Sequence, residues 1–100
     1  MPGQPWVQEC YRVIAEFNAI SIEALRQEWG DGEEISIAVM QFHPAGNDIQ
    51  LDVGPRGVFL LENATGFVYK ISSDGRIYYY KCVGHITSIT GKELFRQQWW

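Results

Sequence analysis

The stretch from Phe67 to Val83, "FVYKISSDGRIYYYKCV", decides how this chain folds. Asp74-Gly75 is the preferred pair for a two-residue type I′ loop, because both central positions of that turn need positive φ. Counting outward from such a loop sets Ile71 opposite Tyr78, Tyr69 opposite Tyr80 and Phe67 opposite Cys82 on one face. Lys70 then faces Tyr79, and Val68 faces Lys81, on the other. The first set is apolar and the second amphipathic, so turn chemistry and side-chain pattern specify the same register.

Upstream of this hairpin the same period of two continues. "VFLLE" (58 to 62) reads as a strand, with "NATG" (63 to 66) as the turn after it and "GPRG" (54 to 57) as the turn before. "DIQLDV" (48 to 53) alternates strictly, with Ile49, Leu51 and Val53 inward and Asp48, Gln50 and Asp52 outward, as a strand wetted on one face does. "EISIAVMQF" (34 to 42) is apolar on both faces and reads as a central strand, joined to the next by the turn "HPAGN". "HITSIT" (85 to 90) extends the last strand or leads into a closing helix. Consecutive strands joined by tight turns favour an antiparallel meander of four to five strands.

Before Glu34 the period is 3.6. Trp6, Val7, Cys10, Val13, Ile14 and Phe17 fall on one side of a helix, and Gln8, Glu9, Arg12 and Glu16 on the other. "NAIS" (18 to 21) interrupts this stripe, and Ser21 reads as the cap of a second helix carrying Ile22, Leu25 and Trp29, stopped by Gly30. Near the other end, Thr90 with Glu93 has the form of a capping box for a short helix, although Gly91 weakens its start. The expected architecture is a single α+β domain over residues 1–100: two N-terminal helices, the meander, and a short C-terminal helix. "EALRQEW" (23 to 29) and "ELFRQQW" (93 to 99) share four identities in seven positions. A chain this long produces about two such matches by chance, so the echo is no repeat.

The hydrophobic fraction of 46% suffices for a core, and no run reaches the ~20 apolar residues of a membrane span. "MPGQPWVQEC" lacks the basic start and apolar run of a signal peptide, so a soluble cytoplasmic protein is expected. Two cysteines, Cys10 and Cys82, are too few for a disulfide scaffold; both lie on apolar faces and read as buried free thiols, with a Cys10 to Cys82 bridge as the alternative. Without a secretory signal, Asn63-Ala64-Thr65 is a turn rather than a glycan acceptor. The net charge of −4 is uneven: residues 1 to 34 carry seven acids against two bases, and residues 35 to 100 five acids against six bases.

Most chemistries find no support. His43 reads as a solvated turn residue and His85 as a strand end; a Cys82/His85 dyad requires "VGH" to bend the chain back. Metal-ligand spacings are missing apart from the loose carboxylates of "GDGEE" (30 to 34), and "VGPRG" (53 to 57) leads into a strand rather than the helix a phosphate cradle needs. "VIAEFNAISIEALRQEW" has the outline of a helix-turn-helix, but Glu23 and Glu28 meet phosphate with the wrong sign. No catalytic residue and no cofactor is expected.

Four Trp, five Tyr and five Phe exceed the needs of one small core, and such side chains are the anchors of protein interfaces. The expectation is therefore a non-enzymatic protein that binds another protein, or itself as a homodimer. Its binding surface lies near the C-terminal helix and last hairpin: Tyr79, Lys70, Lys81, Arg76, Phe95, Trp99 and Trp100. Interleaved aromatic and basic residues also suit single-stranded nucleic acid, but scattered surface residues of this kind are ordinary, and nucleic acid and membrane are disfavoured as partners. The alternative is an acidic inhibitor or immunity-type protein that plugs a basic, nucleic-acid-binding site with Glu9, Glu16, Glu23 and Glu28.

Overall fold

The computed structural model describes residues 6–29, 39–72, 74 and 76–97, and the backbone alone of Trp29 and of Tyr78 to Tyr80. A helix α1 (Val7–Trp29) is followed by five strands, β1 (Met40–Ala45), β2 (Asp48–Val53), β3 (Arg56–Leu61), β4 (Phe67–Ile71) and β5 (Ile77–His85), and a short helix α2 (Gly91–Gln97). The strands form one sheet in the order β1-β2-β3-β4-β5, each antiparallel to the next. The α+β meander with a short closing helix thus stands.

The N-terminal part is one helix rather than two. Carried past Phe17 at 100° per residue, the inward stripe Cys10, Val13, Phe17 continues onto Ser21, which is buried. Asn18, read as a breaker, is occupied elsewhere: its Oδ1 accepts the Met40 N–H at 2.7 Å and its Nδ2 donates to the Met40 carbonyl at 3.3 Å. An asparagine amide engaged across the fold no longer competes with its own helix backbone, so the helix runs through.

The strand expected at 34 to 42 is shifted and lies at the rim. Residues 34–38 fall outside the described residues, and β1 starts at Met40 as an edge strand. The turn is only Gly46-Asn47, with Gly46 at φ 66°, so His43, Pro44 and Ala45 belong to the strand. Pro44, which has no N–H to donate, is tolerated in an edge strand. Between β2 and β3 the pairing slips: Leu51 faces Phe59 while Asp52 faces Gly57. That bulge inserts Val58, and Val58 and Phe59 both join the core.

The 67 to 83 hairpin differs most. Ser72 N–H donates to the Arg76 carbonyl at 2.8 Å, so Ser72 and Arg76 bond to each other where a two-residue Asp74-Gly75 loop sets Ser73 opposite Arg76. The Asp74 carboxylate accepts the Ser72 hydroxyl and the Arg76 N–H, the second at 3.3 Å, so it organises the turn as a side-chain acceptor. Ile71 therefore faces Ile77, and Lys70 faces Tyr78, one step from the expected register. A larger slip follows. Tyr69 faces Cys82, so β5 runs through Tyr79, Tyr80 and Lys81 while β4 takes a single step.

One face of the sheet is closed by the helices, with Phe17, Leu51, Phe59, Leu61, Ile86 and Leu94 fully buried. Each such side chain contributes about 1.5–3 kcal/mol on leaving water. α2 starts where it crosses α1. Thr90 Oγ1 accepts the Glu93 N–H at 3.2 Å, the near half of the capping box. Gly91 N–H donates to Glu16 Oε1 at 2.9 Å. A Cβ on Gly91 would stand 2.2 Å from the Phe17 backbone nitrogen and 2.4 Å from Glu16 Cβ. The glycine that weakens the helix in isolation is the residue that lets two helix backbones touch. Replacing Gly91 by Ala is expected to cost about 2 kcal/mol by overpacking and lower Tm by roughly 10 °C, read by urea and thermal unfolding.

Candidate functional site

The two sheet edges are treated differently. Along β1, Asn18 holds the Met40 peptide from α1, the Val39 carbonyl accepts the Gly54 N–H at 3.0 Å, and Phe42 meets Tyr11 edge-on at 5.2 Å. β5 has no strand on its outer side among the described residues, and its excursion from Tyr79 to Lys81 leaves the β4 ladder. Lys81 and Cys82 are exposed on it. Arg76, at its start, is 81% exposed by side chain and pairs with Asp74 at 3.4 Å. Hydrogen bonds from Ser72 and from the Arg76 amide hold the Asp74 carboxyl below the usual carboxylate range.

Lys70 does not belong to this surface. It is 8% exposed and sits opposite Phe59, because Val68 and Lys70 share the face of β4 that packs on the core. Burial lowers its pKa, with the Lys81 charge adding in the same direction. Phe95 is also turned inward, its ring 5.7 Å from that of Phe17. The Tyr79 side chain, Trp99 and Trp100 lie outside the described residues, as does "GDGEE". Of the expected partner-binding set, Arg76 just before β5 and Lys81 within it are exposed.

The carboxylates of the alternative surface divide. Arg12 Nε donates to Glu9 at 2.9 Å and Arg12 Nη1 to Glu16 at 3.2 Å, while Arg12 Nη2 reaches the Ile86 carbonyl at 2.7 Å. Glu16 also holds Gly91, so Glu9 and Glu16 serve the junction between α1 and the chain around α2. Glu23 and Glu28 are exposed, and Glu23 accepts from Gln27 at 3.3 Å.

His85 closes β5 as expected, whereas His43 lies within β1 rather than in a turn. His85 is fixed from every side: Nδ1 contacts Thr87 Oγ1 and Nε2 the Thr65 carbonyl, both at 2.8 Å, and the Trp6 and Phe67 rings meet it edge-on at 5.2 and 5.1 Å. The ring joins the start of α1, the turn before β4 and the end of β5. Cys82 is exposed rather than buried, and its Sγ points to the Gly84 carbonyl at 4.0 Å. A thiol activated by His85 is therefore not assembled in this geometry.

His43 gains a role that reading it as a turn residue concealed. Its Nε2 lies 2.8 Å from Asp52 Oδ2, and Gln50 Nε2 donates to Asp52 Oδ1 at 2.9 Å, over the open backbone of Gly57. Counting back from the Gly46-Asn47 turn places His43 opposite Gln50 and Gln41 opposite Asp52, so the signal was in the sequence. Among the described residues no hydroxyl or thiol is bonded to His43, and no group of three His, Cys, Asp or Glu stands where it can hold a metal ion. No described helix is long and apolar enough to cross a membrane.

No protein-family model, curated protein or solved structure matches this chain.

Both cysteines are free, and Cys10 is fully buried in the core. Burial first, and the neighbouring Glu9 charge second, push its pKa from 9.0 to about 11. The unfolded chain thus releases this proton before the folded one, so stability present below pH 9.0 is lost as pH rises towards about 11. Urea unfolding across that window is expected to show the native chain losing about 2 kcal/mol more than Cys10→Ala.

Proposed function

We propose that this protein is a small non-enzymatic binding module that engages another protein through the outer edge of β5. The observation that carries this reading is the asymmetry of the edges. α1 and Asn18 attend β1, whereas among the described residues β5 has no strand on its outer side, and Tyr79 to Lys81 leave the β4 ladder. An open strand edge offers a partner a row of backbone donors and acceptors, the basis of recognition by strand addition. A bulge at such an edge re-aims side chains away from the sheet. The two free thiols suit a reducing compartment, in keeping with a cytoplasmic protein.

The acidic-inhibitor reading draws less support, because two of its four carboxylates already hold Arg12 and Gly91. The two readings separate in one affinity capture from native lysate. Captured protein is expected to be lost with Lys81→Glu and Cys82→Glu, and kept with Glu23→Lys and Glu28→Lys. Loss confined to the α1 variants would establish the acidic surface instead, and capture indifferent to both sets would contradict binding at either.

A further inference from the structure

We infer that the partner segment received by β5 is an extended acidic peptide; this rests on the reading of β5 as the binding edge. The stretch of sequence that contains this edge carries an excess of positive charge. Residues 67–97 carry five bases (Lys70, Arg76, Lys81, Lys92, Arg96) against two acids (Asp74, Glu93), a net +3 in a chain of net −4. No acid occurs from residue 75 to residue 92, a span that contains all of β5. Lys70 is buried, which leaves Lys81 on the strand and Arg76 at its start as the exposed cations of this edge.

That charge pattern discriminates among occupants. A second copy pairing antiparallel over the full length of Ile77–His85 places Lys81 on the two-fold axis, facing its own copy. Like charges directly opposite destabilise a strand pair, and a lysine on an edge strand is a standard guard against self-association. The same lysine attracts a strand bearing Glu or Asp, so it rejects self and admits an acidic partner. Single-stranded nucleic acid is also anionic, but its binding sites interleave several bases with a stacking platform, and Lys70 is withdrawn from this face.

The test is an amide chemical-shift titration of the full chain with three probes: a short peptide alternating glutamate and valine, its lysine-for-glutamate counterpart, and oligothymidine. The acidic peptide is expected to shift the amides of Ile77–His85 and leave β1 unmoved. Lys81→Glu should weaken it roughly tenfold and transfer preference to the lysine peptide. Equal binding of both peptides at β5 overturns the acidic preference while leaving strand addition standing. No shift at β5 with any probe overturns both. Tighter binding of oligothymidine assigns the edge to nucleic acid, and concentration-dependent broadening of β5 without a probe assigns it to a second copy; either result overturns the proposal.

Discussion

The contact on which the rest of the structure depends is the meeting of Gly91 with the backbone of α1 at Glu16 and Phe17. No Cβ fits there, the Gly91 N–H ends on the Glu16 carboxylate, and Glu16 is in turn held by Arg12. Arg12 extends the junction by donating to the carbonyl of Ile86, a fully buried residue just after β5. A charged side chain that accepts or donates at a helix start or an exposed carbonyl makes a stronger bond than a neutral one. The acids and base of this cluster therefore act as a clasp. The clasp fixes the chain after β5 against α1, and Ile86, Ile89 and Leu94 enter the core from the segment it secures.

From that clasp follows the distribution of open and occupied surface. With α1 and α2 packed on each other, one sheet face is filled and α1 reaches β1, where Asn18 supplies the Met40 peptide with a donor and an acceptor. Among the described residues nothing comparable is directed at the outer side of β5. Its irregular pairing, with Tyr79 to Lys81 outside the ladder and Gly84 at φ 149° against Ile89, ends in the anchored ring of His85. Among the described residues the strand is secured at its end and has no neighbour strand along its outer side, which is the geometry strand addition requires.

Much of this was legible in the residues. Strict alternation in "DIQLDV" returned β2 at its observed bounds, and the turn residues separated the strands in the right order. Three features were not legible, two because a distant partner overrode a local rule and one because a side-chain acceptor two residues away did. Asn18 looked like a helix breaker until Met40 took its amide. Asp74-Gly75 looked like a two-residue loop until the Asp74 carboxylate took the Arg76 amide. Gly91 looked like a weak helix start until Phe17 arrived against it. The misplacement of Lys70 and Cys82 has another source: the Val68 and Lys70 face of β4, read as the wet one, is the face that packs on the core, and Cys82 pairs with Tyr69 on the opposite face. The Trp99 and Trp100 pair, expected to anchor a partner, lies beyond the described residues, so the proposed binding surface is drawn from the β5 edge alone.

If the clasp governs the fold, the Gly91 amide does not behave as the fraying start of a short helix. Native-state hydrogen exchange at that amide is the direct test. It should open only with global unfolding, at the same free energy as the Phe59 and Leu61 amides of β3. Exchange near the unfolded-chain rate, with β3 still protected, would contradict the account.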